Sequence, residues 1–351
     1  MDALTVLVTG AGAPGIKGTL YSLKNNFDNR PIRTIGTDIK KEVVGTYLCD
    51  SFYQISKPSE KEYLEQLLSI CEHESVDVIL PQNTVELPVL AENKTVFSTI
   101  GVYVAISDCS AISLANDKFK IMKLAKQIGI PAPDYFLVDN FDTLKKAALT
   151  LGWPDRPVVI KPPISNGMRG VRIIDESIDR KTMFYSEKPT SLFANMMNIH
   201  DILGFDFPPL LVMEYLPGAE YTVDVLKNRG YTVIPRKRDI VQSGITFQGT
   251  VVYHEELVNY AKKLSDALGL QYAFGFQFKM DACGNPKLLE SNPRIQGTMV
   301  LSTFAGANII YAAVKLALIE DVPAFQIRWG TKILRYWGGL GIFNGNIVDL
   351  L

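Results

Sequence analysis

Cysteine and histidine are both scarce, with four of the first and three of the second in 351 residues. Cys49, Cys71, Cys109 and Cys283 stand far apart and form no metal-type pair, which suits free thiols in a reducing compartment. His73, His200 and His254 are equally scattered, which speaks against a histidine-based zinc site. Charge of either sign is not in surplus. The net charge is −1, which gives no basic surface for nucleic acid or an anionic membrane. Long apolar runs are missing as well. The most apolar late stretch, Ala305–Ile319, is interrupted by Asn308 and Lys315 and is too short to span a bilayer. The N-terminus carries no basic lead, and Asp2 stands where a signal peptide would be positive. Repeats, low-complexity tracts and Ser-His-Asp or Cys-His arrangements are absent. These absences predict a soluble cytoplasmic protein with small-molecule partners, bound to neither nucleic acid nor membrane.

Core-forming material is ample, with 47% apolar residues and a mean hydropathy of +0.09. The length allows two or three domains. Residues 4–9 predict a strand, Gly10–Gly15 a turn into a helix near 15–25, and 33–38 a second strand. A helix over 60–74 and strands at 76–80 and 102–106 follow. Strands alternating with helices predict a parallel sheet covered on both faces. Asn116 as cap and Asp117 in the first turn open a further helix, which Gly129 and Pro131 stop. Pro131–Asp134 then reads as a linker into a second unit. That unit holds strands at 157–162, 171–174 and 210–215, with 176–208 irregular around a helical middle. A hairpin over 220–226 and 231–234 opens the last unit, followed by a helix at 254–268, two strands, and a helix near 306–319.

Several motifs carry chemistry. Gly10-x-Gly12-x-x-Gly15 lies between a strand and a helix, and Asp38 ends the next strand, as a dinucleotide fingerprint requires. Any tight strand-to-helix turn also favours glycine, so the motif supports both an NAD(P)-dependent oxidoreductase and a purely structural turn. The loop Ser165–Gly170 lies between strands, where backbone N–H groups can fold over phosphates. Lys161 stands four residues before it in an apolar run, where a phosphate would compensate its charge. Glu214 and Glu220 bracket the turn after an apolar strand. Gln277, Glu290 and Asn292 set oxygen donors on two candidate neighbouring strands, with Arg294 beside them. Hard oxygen ligands suit Mg²⁺, and the planar fork of Arg294 suits a phosphoryl oxygen. Pro81–Glu86 and Arg236–Arg238 are candidates for recognising a substrate.

The order of these parts resembles the ATP-grasp superfamily, and within it the synthetase units of the carbamoyl-phosphate synthase large chain and single-unit carboxylate–amine ligases. The residues that carry the resemblance are Asn116-Asp-Lys118, Val159-Ile-Lys161, Ser165-x-Gly-x-Arg-Gly170, Met213-Glu-Tyr-Leu-Pro-Gly-x-Glu220, and Gln277-Phe with Leu289-Glu-Ser-Asn-Pro-Arg294. The resemblance implies an α/β fold with a doubly wound N-terminal domain at 1–112. A small lobe with its connecting helix would follow at 113–215, and a large lobe with the metal site at 216–351, the two α+β lobes clamping ATP. Lys118 and Lys161 would contact phosphates. Ser165, Asn166, Gly167, Arg169, Gly170 and Val171 would form the lid. Glu214, Tyr215 and Leu216 would read adenine, and Glu220 the ribose. Gln277, Glu290 and Asn292 would hold Mg²⁺ or Mn²⁺, with Arg294 and Lys161 acting in catalysis. Many relatives carry an acid where this chain has Gln277, and the large chain carries two such units. The implied activity joins a carboxylate or bicarbonate to an amine through an acyl phosphate, and the expected assembly is a homodimer. A non-catalytic ATP-binding protein on the same fold is the remaining alternative.

Overall fold

The computed structural model describes residues 2–165, 167–186, 192–336 and 338–350. The chain forms two compact units. The first comprises residues 1–116, 220–277 and 291–351, the second 117–219 and 278–290.

The first unit opens on a sheet in which Leu4-Thr-Val-Leu-Val-Thr9 is β1 (Leu4–Thr9). Its neighbours are β2 (Ile32–Asp38), β3 (Ser51–Gln54), β4 (Val78–Leu80) and β5 (Tyr103–Val104), in the order β3-β2-β1-β4-β5 and all parallel. Successive side chains of a strand point to opposite faces. Val6 and Val8 pack into one core with Ile16, Leu20 and Leu23 of the helix Ile16–Lys24. Leu7 packs into another with Tyr63, Leu67 and Ile70 of the helix Glu62–His73. A strand buried on both faces has no reason to alternate with polar residues, so β1 reads as a near-continuous apolar run. The strand order reverses between β1 and β4. The loops 10–15 and 81–86 therefore leave the same sheet edge on either side of the switch point, where such sheets bind ligands.

The helix Ile309–Ala317 also packs into the β1 core. It is apolar nearly all round because it is buried nearly all round. Lys315 is admitted to it by an ion pair with Asp28 at 2.6 Å. Among the described residues no helix is long and apolar enough to cross a membrane.

The second unit holds an antiparallel core of β6 (Tyr135–Asn140), β7 (Val158–Lys161), β8 (Arg172–Ile174) and β10 (Asp206–Glu214), ordered β6-β10-β7-β8. β9 (Phe193–Ala194) joins β8 in parallel. The last sheet is β15-β14-β11-β12-β13-β16, built from β11 (Glu220–Lys227), β12 (Tyr231–Gln242), β13 (Ile245–Val251), β14 (Tyr272–Met280), β15 (Pro286–Asn292) and β16 (Lys332–Leu334). β17 (Leu340–Phe343) and β18 (Asn346–Leu350) form a separate hairpin.

Several boundaries differ from the sequence reading. Asp117, not Asn116, caps the helix Lys118–Gln127, because its carboxylate accepts from the backbone N–H groups of Phe119 (2.9 Å) and Lys120 (3.1 Å). Asn116 instead ends a preceding helix, Cys109–Ala115. Pro131–Asp134 leads directly into β6, an edge strand whose exposed Phe136 and Leu137 hide the alternation that reveals a strand. The hairpin after Glu220 extends to Gln242 and is joined by β13. Residues 176–208 contain two helices, Arg180–Ser186 and Met196–Leu203.

Glu86 reports on how tightly the first unit is packed. It is 3% exposed, in the short 3-10 turn after β4. Its carboxyl group accepts from the Thr9 hydroxyl, the Asn83 N–H (2.8 Å) and the Tyr63 hydroxyl (3.3 Å). Burial pushes its pKa up to about 7, against the pull of these donors. Between its ordinary value and about 7 the folded state holds a proton that the unfolded state has released, so stability falls as pH rises through this window. Compared with Glu86→Gln, the wild type is expected to lose on the order of 2–3 kcal/mol more between pH ~4.5 and ~7. Urea denaturation across that range reads the difference, and parallel curves for the two proteins would refute it.

Candidate nucleotide and metal-binding site

In the second unit the apolar run Val158-Val-Ile-Lys161 forms β7, and Lys161 at its end is 7% exposed. Its ammonium donates to the Leu289 carbonyl at 3.3 Å. Lys118, the first residue of its helix, is 6% exposed and donates to the Ser165 carbonyl (2.7 Å) and hydroxyl (3.4 Å). It also pairs with Glu290 at 3.5 Å. Lys118 thus lies between the loop and one carboxylate, and Lys161 lies against the backbone of the residue before that carboxylate, two buried charges that a further anion would help to balance.

That loop joins the antiparallel strands β7 and β8, as the sequence predicts. Gly167, Met168 and Gly170 all adopt positive φ (59°, 61° and 74°). A Cβ at Gly170 would lie 2.7 Å from the Pro162 ring, so that position requires glycine twice over. The Arg169 guanidinium folds back over Gly167. Val171 closes the turn by donating its N–H to the Met168 carbonyl at 3.3 Å. Asn166 lies outside the described residues.

Glu214 ends β10. Its two oxygens accept from Lys287 at 2.6 and 2.7 Å, and one also accepts from the Asp134 N–H at 3.0 Å. Tyr215 carries the Lys279 ammonium 5.5 Å from its ring centroid, and Leu216 is buried. Lys279 and Lys287 escaped the sequence reading. Each is a lone lysine in an alternating strand, a pattern that reads as a solvated face.

In the first unit, Glu220 is paired with Arg238. Gln277 is half-buried on β14, and Asn292 ends β15, the neighbouring strand of the same sheet. Asn292 Oδ1 accepts from Arg294 at 3.3 Å. Arg294 also donates to the Ile295 carbonyl (2.9 Å) and to the Thr84 hydroxyl (2.8 Å), which ties it to the 81–86 segment. Amide and carboxylate oxygens are the hard donors that Mg²⁺ takes alongside waters and substrate phosphates, so this donor set fits that ion. Among the described residues no group of three His, Cys, Asp or Glu side chains could hold a metal.

The N-terminal glycine turn is used for packing. Asp38 accepts the Gly12 N–H at 2.8 Å and so closes its own loop. A Cβ on Gly15 would lie 2.5 Å from the Gly297 Cα, so Gly15 lets two backbones approach. Neither contact needs a pyrophosphate, and both favour the structural reading of the motif over the oxidoreductase one. Gly15→Ala is expected to destabilise the fold by about 1–3 kcal/mol, because a backbone cannot step aside as a side chain can. An unchanged denaturation midpoint would show spare room at the turn.

Comparison with known proteins agrees with this architecture. Solved structures that superpose on the chain include N5-carboxyaminoimidazole ribonucleotide synthetase in its ADP complex, with a TM-score of 0.68 at 16% identity over 93% of this chain and 80% of that one. Biotin carboxylase from Campylobacter jejuni superposes with a TM-score of 0.66 at 18% identity over 92% and 73%. The chain therefore has the ATP-grasp fold. Residues 206–333 match the family described as "ATP-grasp in the biosynthetic pathway with Ter operon", and residues 6–105 match the "PylC-like, N-terminal domain". The matched segments are thus an ATP-grasp domain over 206–333 and a PylC-like N-terminal domain over 6–105.

Among curated proteins, the carbamoyl phosphate synthase large chain of Clostridium acetobutylicum is 22% identical over 73% of this chain and 23% of its own length. The formate-dependent phosphoribosylglycinamide formyltransferase of Pasteurella multocida is 26% identical over 67% of this chain and 57% of its own. The chain spans less than two thirds of the length of either relative.

Proposed function

We propose that this protein is an ATP-dependent carboxylate–amine ligase. The γ-phosphoryl group of ATP passes to a carboxylate or bicarbonate oxygen, giving an acyl phosphate and ADP. An amine then attacks the acyl carbon, and phosphate leaves as the amide bond forms. The observation that carries this reading is the pair of buried ammonium groups, Lys118 against Glu290 and Ser165, and Lys161 against the Leu289 carbonyl next to Glu290.

Phosphoryl transfer asks a protein mainly for in-line positioning and neutralisation of charge. Lys118 and Lys161 bind phosphate oxygens. Residues 165–171 cover them and exclude water, on which the lifetime of an acyl phosphate depends. Tyr215 and Leu216 present their backbone to adenine beside Glu214, and Glu220 serves the ribose. Gln277, Glu290 and Asn292 would hold Mg²⁺ or Mn²⁺, which would supply neutralisation of the phosphate charge. Arg294 orients the transferring phosphoryl group. In this reading 1–112 serves as a substrate-side domain ahead of lobes 113–215 and 216–351.

The named relatives support the same reading. A carboxylase domain with this fold is described as a dimer in complex with MgADP and bicarbonate, which makes bicarbonate and a homodimer reasonable for this chain too. A cytoplasmic location suits the small-molecule chemistry. The deciding experiment is a screen of carboxylates and amines scored for ADP and phosphate release. Release that depends on one acid and one amine together is the expected result. ATP hydrolysis indifferent to every acid and amine, or tight NADH binding without ATP binding, would overturn the reading.

A further inference from the structure

The ends of β2 and β3 enclose a space that the nucleotide reading does not use. Ile39 and Lys40 follow β2, and residues 55–57 follow β3. The Gln54 amide ties the two segments together by donating to the Ile39 carbonyl at 3.1 Å. Gln66, on the helix Glu62–His73, accepts the Ser56 N–H at 2.8 Å, and Glu60 accepts the Lys57 N–H at 3.1 Å. These bonds hold both loops around a cavity of about 430 Å³, whose walls include Ile39, Lys40, Ile55 and Lys57. Lys40 and Lys57 are exposed at its mouth, and among the described residues neither pairs with an acid.

A smaller cavity of about 30 Å³ adjoins the first and shares Ile39 and Ile55 with it. It has room for about one water-sized group. Its charged walls have the opposite sign, being Asp38 and Glu86, and among the described residues neither forms an ion pair. Asp38 accepts the N–H groups of Gly12 (2.8 Å) and Lys40 (3.0 Å), which holds its carboxylate in place. Burial pushes Glu86 up to about 7, and a cation beside it would offset that cost. Thr37 also lines this cavity. It is fully buried, and its hydroxyl has no hydrogen-bond partner. Buried hydroxyl groups in folded proteins are nearly always bonded, so this one calls for an occupant. The joined cavities therefore present two acids and an open hydroxyl at the buried end, two isoleucines between, and two unpaired ammonium groups at the exposed end.

We propose that the two cavities form one binding site for a small amino acid. Its ammonium donates to Asp38, Glu86 and Thr37 in the smaller cavity, its aliphatic part lies along Ile39 and Ile55, and its carboxylate faces Lys40 and Lys57. The site lies wholly in the first unit and shares no residue with the nucleotide and metal groups, so it stands apart from the ligase reading. Calorimetric titration of the full chain tests it, with L-alanine, γ-aminobutyrate and 6-aminohexanoate as probes of increasing span. Hexanoate and hexylamine are the controls, since each keeps one charged end. At least one amino acid is expected to bind saturably, about tenfold or more tighter than either control. Lys57→Met should weaken that binding about tenfold, and Thr37→Val about fivefold, while Lys161→Ala leaves it within about twofold. Thr37→Val should also keep or raise the melting temperature of the unliganded protein, because the hydroxyl it removes has no partner to lose. That readout separates lost binding from misfolding. Failure of all three amino acids to bind, a control that matches the best of them, or equal affinities in wild type, Lys57→Met and Thr37→Val would overturn the site. So would a fall in binding with Lys161→Ala, which would move the amino acid to the phosphate-binding group, or a lower melting temperature for Thr37→Val.

Discussion

Glu290→Ala is expected to lower Mg-dependent turnover by about 10³-fold or more, the scale seen when a fixed electrostatic partner of the reacting charge is removed. In the proposed donor set with Gln277 and Asn292, Glu290 is the one carboxylate, so its loss would leave only amide oxygens for a doubly charged ion. It also faces Lys118 at 3.5 Å. The variant therefore gives the buried ammonium one acid fewer, and a stability loss of about 1–3 kcal/mol should accompany the loss of activity. Two measurements separate these effects. Denaturation reads the stability term. ADP binding with and without Mg²⁺ reads the metal term, because the gain in affinity that Mg²⁺ confers should disappear in the variant. A folded Glu290→Ala protein that turns over near the wild-type rate would remove Glu290 from the metal site.

Lys161→Ala should weaken nucleotide binding by roughly 10–100-fold, because a hydrogen bond to a charged partner is worth about 1.5–3 kcal/mol. The burial of Lys161 sharpens the expectation. At 7% exposure its charge is poorly screened by water, so a phosphate oxygen beside it gains more than it would at the surface. Arginine is a poor rescue here, since the planar fork cannot stand in for a compact ammonium held against the Leu289 carbonyl. Calorimetric titration with ADP measures the change. Equal affinities for wild type and Lys161→Ala would take Lys161 out of the phosphate-binding group.

The two-faced burial of β1 was legible in Leu4–Thr9, because a strand covered on both sides carries no alternation to confuse the eye. The helix Glu62–His73 was legible for the opposite reason, as its apolar positions recur at helical spacing. β6 was not legible, since an edge strand has no second neighbour to impose a pattern. Asp117 and Asn116 both suit helix ends, and only the hydrogen bonds to Phe119 and Lys120 show which one caps. Within the candidate site, Lys161, Glu214 and Glu290 stood out as charged residues closing apolar runs. The cavity walls at Thr37, Lys40 and Lys57 did not. Lys40 and Lys57 are separated by 17 positions along the chain, and each looks ordinary in its own segment. The basic run Arg236–Arg238 drew notice as a unit, yet the sheet divides it. Arg236 points inward to Asp224, while Lys237 pairs with Asp239.

The contact of Gly15 with Gly297 bears on any attempt to build hybrids of this protein. The two positions are far apart in the sequence, yet a Cβ at Gly15 would meet the Gly297 Cα at 2.5 Å, whereas one at Gly297 would make only ordinary contact with Gly15 at 3.7 Å. A chimera that exchanges the first hundred residues for those of a cousin must therefore import a glycine at the matching place, or accept one whose partner loop is already set back. Recombination junctions chosen from sequence alone would miss this, since no stretch of chain near either glycine announces the other.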